Sequence, residues 1–138
     1  MDEGIERELT VVKSDKTDYD TAQTEGLPRL DGVSSDTTDA ANLWLGQPTG
    51  EPGMDSEPHH HGEAETAGYI ISGRAEIFYG ENYDKKVEME PGDFVYIPPY
   101  LKHVERNASE TEPVAFVTAR TPDNIVVNLD EDSDIPPR

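Results

Sequence analysis

Apolar residues in this chain come in short runs that alternate with polar ones, and Gly, Pro, Asn or Asp closes most runs. A period of two marks a half-buried strand, whose side chains point to opposite faces in turn. Asn42-Leu43-Trp44-Leu45-Gly46 is the first convincing run, with Leu43 and Leu45 on one face and Trp44 on the other. The indole either fills core or lines a pocket. Thr66 to Gly73 and Arg74 to Tyr79 read as two strands joined at Ser72-Gly73. Lys86-Val87-Glu88-Met89-Glu90 alternates with Val87 and Met89 inward, and Pro91-Gly92 carries the signature of a type II turn. Phe94 to Ile97 is a short strand that Pro98 and Pro99 end, because neither can donate to a ladder. His103, Glu105 and Asn107 share one face of the next strand, with Val104 and Arg106 on the other. Val114 to Ala119 and Ile125 to Leu129 complete the set, and at most one helical turn fits Thr37 to Ala41. Short strands at this spacing predict an all-β fold, a jelly-roll barrel, with an interior wide enough for a metal.

The pattern divides the chain into three. Residues 1–38 form a polar arm whose apolar patches are Leu9 to Val12 and Leu30 to Val33. Either patch can add an edge strand, on this chain or on a partner subunit, or the segment is a mobile arm. Residues 39–130 make the barrel, and 131–138 an acidic, loose tail. With 138 residues there is one domain and one modest core.

Charge narrows the partners. Thirty acidic against eleven basic residues give a formal net charge of −19, and such a surface repels nucleic acid and anionic membranes. The acids run through the whole chain and only five of the basic residues are Lys, which favours a halophilic source over an acidic arm on an ordinary domain. No cysteine is present, so thiolate chemistry and disulfides are excluded. Met1 to Arg7 lacks a signal-peptide pattern and no apolar run approaches a membrane span, which predicts a cytoplasmic location.

The candidate chemistry sits in Gly53 to Glu65, where His59, His60 and His61 stand together, and in His103, the remaining histidine. Imidazole is the commonest metal ligand, and a nearby carboxylate completes a set for a transition metal. In an extended strand His59 and His61 face the same way, His60 faces away, and Glu65 joins the first two if the register holds. His103 must then arrive from a strand adjacent in space. The bland alternative is a solvated histidine-rich loop.

These residues resemble the paired motifs of the cupin family. Gly53, His59, His61, Glu65 and Gly73 match its first motif, and Gly92, Pro98, His103 and Asn107 its second. Seven residues rather than six separate Glu65 from Gly73, with Glu63 the nearest alternative carboxylate, and Tyr100 stands where the family has Gly. The resemblance implies a double-stranded β-helix whose His59, His61, Glu65 and His103 bind one divalent metal, Fe, Mn, Ni, Zn or Cu. It also implies a tendency to form homodimers. On this reading the protein is a metal-dependent enzyme, dioxygenase-like, acting on a small oxygenated or aromatic metabolite. A metal-dependent isomerase or lyase, and a non-catalytic small-molecule-binding barrel, are the alternatives. Asn107 and Glu105 are candidate partners of the ligands. Tyr69, Tyr96, Tyr100 and Arg120 either face the pocket or pack elsewhere, and Arg120 is the one suited to hold a substrate carboxylate.

Overall fold

The computed structural model describes residues 8–138; the reading of Met1 to Arg7 lies outside them. Two five-stranded antiparallel sheets face each other. The strands are β1 (Arg29–Val33), β2 (Trp44–Gly50), β3 (His59–His60), β4 (Glu65–Ser72), β5 (Ala75–Tyr79), β6 (Lys85–Met89), β7 (Phe94–Ile97), β8 (His103–Asn107), β9 (Val114–Thr121) and β10 (Val127–Asn128). One sheet has the order β1-β2-β9-β4-β7 and the other β10-β3-β8-β5-β6. Consecutive strands pass repeatedly from one sheet to the other, as a jelly roll requires.

The expected strands recur within a few residues, and the helical turn does not. Thr37 and Thr38 instead send their N–H groups to Ser34 O in a tight turn, and the one helical element among the described residues is a single 3₁₀ turn at Ser14–Lys16. No helix there is long and apolar enough to cross a membrane.

Leu30 to Val33 forms part of β1, on the edge of the first sheet, paired to β2 of the same chain. Its alternation is inverted: Arg29 and Asp31 point inward and are buried, while Leu30 is half-buried on the outer side. Trp44 is fully buried, with Leu43 and Leu45 exposed, so the indole belongs to the interior.

The interior has two halves. Leu27, Ile70, Ala75, Ile77, Met89, Ile97, Val114 and Phe116 form an apolar cluster at one end. The other end is polar and holds the histidines. Val87, expected inward, is partly exposed, whereas Met89 is buried as expected.

Three side chains of the C-terminal residues reach the barrel. Ile135 packs against Phe78, Tyr83 and Val104 on the outside of the second sheet. Tyr83 O–H donates to Glu131, and Arg138 reaches Asp55 and Met54 O. An apolar residue in an acidic tail thereby covers an apolar strand face.

Candidate metal centre

β3 lies beside β8 with His59 opposite His103, so the two distant histidines are cross-strand neighbours. Their rings are 4.3 Å apart, and each lies 5.0–5.2 Å from His61. All three are buried, and their ligand atoms lie within 4.8 Å of one another. His60 is outside the cluster, half-buried near Tyr100, where its Nδ1 accepts from Gly62 N–H.

Each of the three rings has one nitrogen committed to backbone. Nδ1 of His59 meets Glu57 O at 2.9 Å, that of His61 meets Ile125 O at 2.8 Å, and that of His103 meets Leu101 O at 2.9 Å. A carbonyl only accepts, so each Nδ1 carries the proton and each Nε2 presents a lone pair inward. This is how metal-bound histidines are oriented.

Glu105 brings a carboxylate beside two of the three rings. Its Oε2 is 3.5 Å from His59 Nε2 and 3.7 Å from His103 Nε2. Two ligand atoms about 2.1 Å from a shared ion sit about 3–3.5 Å apart, so this spacing fits a cation between them. Without one, Nη2 of Arg29 and Nη2 of Arg120 meet the lone pairs of His59 and His61. His103 Nε2 has no partner among the described residues. Such an orphan is costly, and a divalent ion resolves it.

Glu65 is not there. It is exposed on the outer face of β4 and accepts a hydrogen bond from Tyr96. The period-two count from His59 fails because β3 ends at His60. A turn closed by Ala64 N–H to His61 O then intervenes, with Gly62 at φ +56°. β4 restarts one residue out of phase, so buried Thr66 takes the inward position. Six residues also separate Thr66 from Gly73, the spacing the motif asks for. Glu63 is exposed as well.

The remaining candidates divide. Arg120 is in the site: Nη2 lies 3.1 Å from His61 Nε2, Nε donates to Thr66 Oγ1 and Nη1 to Asn124 Oδ1. Tyr69 and Tyr96 are on the outer face of the first sheet, and Tyr100 is exposed at φ +61°, a left-handed conformation that explains a family preference for Gly. Asn107 is buried but ties loops, donating to Glu51 O and Glu112 O.

Arg29 escaped the sequence reading. It is fully buried, with Nη2 3.4 Å from His59 Nε2. Its signal was the inverted alternation of β1. Burial lowers the pKa of both arginines, Arg120 to about 9, and each remains a cation at neutral pH. Arg29 contributes to the lowering at Arg120, and Glu105 opposes it. Burial alone would raise Glu105; nearby positive charge, of which the Arg29 guanidinium is the permanent part, brings its carboxyl below the usual carboxylate range.

The Cupin_2 family, a cupin domain, matches residues 49–120, more than half of the chain. The chain is a cupin. No curated protein matches it. Among solved structures, oxalate decarboxylase from Bacillus subtilis superposes with a TM-score of 0.66 at 24% identity, over 80% of this chain and 29% of that one. An uncharacterised double-stranded β-helix protein from Klebsiella pneumoniae gives 0.64 at 20% identity, over 82% of this chain and 87% of that one. A further structure of the Bacillus decarboxylase, concerned with its Mn(II) centres, gives 0.65 at 24% identity, over 79% and 29%. The cupin described here spans under a third of the decarboxylase, and the likeness at this identity is one of fold. The family match and the three buried imidazoles together mark the site as that of a divalent transition metal.

Proposed function

We propose that this cupin is a metal-dependent enzyme for a small oxygenated metabolite, with His59, His61, His103 and Glu105 as the metal ligands. The observation that carries the reading is the convergence of three Nε2 lone pairs in a buried site, each imidazole already oriented by a backbone carbonyl, with a carboxylate beside two of them. Three imidazoles and a carboxylate leave open positions on an ion, where it acts as a Lewis acid on substrate oxygen. The chain's own groups do the rest. Glu105 lowers the charge of the site, Arg120 is held by Thr66 and Asn124 to face the ligands, and Trp44 stacks 5.4 Å behind Arg120.

Lyase chemistry, bond cleavage without net oxidation, fits better than oxygenation of an aromatic ring. The structural likeness to a decarboxylase supports this choice. Oxygen consumption decides it. Turnover of a small acid by the metal-loaded protein in an anaerobic cuvette is expected. Turnover that stops without O2 would transfer the site to the dioxygenase class, and binding without turnover would make the protein a carrier. We also infer that the cupin works as a homodimer.

The ligand set has its own test. His103→Ala is expected to abolish metal retention by elemental analysis, and Glu105→Gln to weaken it about 10- to 100-fold. His60→Ala and Glu65→Gln should leave it unchanged. Metal lost in Glu65→Gln but kept in Glu105→Gln would refute the assignment of the carboxylate.

A further inference from the structure

The three histidines are shut in, at 0%, 2% and 0% exposed for His59, His61 and His103, and Arg29 and Arg120 beside them are buried as well. An ion or a ligand reaches them only if some element moves. Each sheet has two edge strands, β1 and β7 in the first, β10 and β6 in the second. Ile97 of β7 and Met89 of β6 belong to the apolar cluster, so hydrophobic packing closes the seam on that side. β1 and β10 are not paired to each other, and residues 18–26 bridge them instead.

Gln23 joins the two edges. Its side-chain amide meets β1 as a strand would: Nε2 donates to Arg29 O and Oε1 accepts from Arg29 N–H, both at 2.8 Å. Its backbone carbonyl accepts from Asn128 Nδ2 at 3.0 Å, and Asn128 stands on β10 directly opposite His59 of β3. One residue thus ties the strand whose arginine touches His59 to the strand that pairs with His59. The neighbouring fastenings are polar too. Asn124 Nδ2 donates to Thr21 Oγ1 and Ala22 O, and Glu57 N–H to Glu25 O.

No apolar side chain holds this segment down. Tyr19 is 55% exposed and Ala22 is exposed, and the first residue to enter the core is Leu27. Thr24 is buried, yet its Oγ1 has no partner among the described residues, which makes closure costly. A segment kept in place by hydrogen bonds that water can replace sits at the low end of local stability.

We propose that residues 18–26 form a strap over a lateral entrance to the metal centre, between β1 and β10, with Gln23 as its latch. Release of the latch parts the two edges beside His59 and admits a divalent cation or a small polar ligand. This rests on the metal-centre reading above. A polar seam suits such a solute, which would have to shed its hydration to cross packed hydrocarbon.

The experiment loads the full chain with Co(II) and follows its uptake, and its release to excess EDTA, by stopped-flow absorbance. Gln23→Ala removes the two bonds to β1, and Asn128→Ala the one to β10. Asn128→Ala is expected to speed both uptake and release about 2- to 10-fold, and Gln23→Ala about 5- to 50-fold, by the same factor in each direction so that affinity is unchanged. Tyr83→Phe, which frees Glu131 on the far side of the second sheet, should leave both rates within about twofold of the parent. Emission of Trp44, the sole tryptophan, reports whether each variant is folded. Folded variants with unchanged rates overturn the entrance. Faster release without faster uptake overturns the latch, since Gln23 would then only position Arg29. Equal acceleration by Tyr83→Phe overturns it in favour of general loosening. A parent that retains no Co(II) overturns the metal centre itself.

Discussion

His61 and His103 cannot easily take up a proton where they sit. Burial is the main cause for both. For His61 the charge of Arg120 is next, and for His103 the neighbouring His59, with burial bringing His103 down to about 3 from 6.5. A folded-state pKa below the unfolded one means the unfolded chain binds the proton first, so stability falls as pH falls below about 6.5. For His103 the loss continues to about pH 3. The slope is about 1.4 kcal/mol per pH unit for each histidine held neutral. Glu105, also depressed, adds its own loss between 4.5 and about 2. Denaturant melts of metal-free protein from pH 7.5 to 4.5 are expected to show stability nearly constant above 6.5 and falling steadily below. A flat profile across that range would mean that the imidazoles are solvated. At this scale His59, His61 and His103 were legible because residue type and motif spacing carry them. Glu105 was half-legible: its face is shared with His103, but nothing in sequence separates a carboxylate on an ion from one in water.

Elements decide which of these residues meet. Alternation located the strands, since each side of the barrel buries one face and leaves the other wet. Alternation could not locate the His61–Ala64 turn, because one glycine at positive φ breaks the phase that the count from His59 to Glu65 assumes. It also misled at β1, where the inward residues are Arg29 and Asp31 and the outward one is Leu30. A polar interior inverts the rule that apolar residues point in. β2 shows how tightly this region is fitted. A Cβ on Gly46 would lie 2.2 Å from the Trp44 ring and 2.6 Å from Leu30 O. Gly46 therefore makes room for the indole that donates to Asp31 and stacks on Arg120. Gly46→Ala is expected to cost about 1–3 kcal/mol by overpacking. It should also red-shift Trp44 emission as the indole leaves its site, and lower metal-dependent activity through Arg120. Unchanged melting and emission would show that the β1–β2 pair yields more readily than its contacts imply.

The two sheets present different outer surfaces to the solution. That of the second sheet is covered by Ile135, Glu131 and Arg138 of the same chain. Among the described residues, that of the first is flanked by Val12, Ser14 and Thr17 at its β1–β2 edge and exposed over β4 and β7. Leu45, Ala67, Tyr69, Ile71, Phe94 and Tyr96 point outward, with Phe94 79% exposed, and Glu65 is the one outward-pointing charged side chain on its strands. On a molecule of net charge −19, so uncharged a face is where a second copy can approach without meeting like charge. Five strands spaced about 4.8 Å make a face about 24 Å across. With side-chain relief it offers an interface of the order of 800 Å² per partner, which a stable dimer needs. Sedimentation equilibrium at micromolar concentration is expected to give twice the 15.3 kDa chain mass. Phe94→Glu and Ile71→Glu, each placing a new charge opposite its own image, should return the monomer with metal content intact. Molar KCl screens the remaining repulsion, so the parent dimer should tighten as salt rises, and melting temperature should rise with it if the acidic surface is adapted to brine. A monomeric parent at both low and high KCl would leave the exposed face without its second copy. A dimer unaffected by either glutamate would move the contact elsewhere on the barrel.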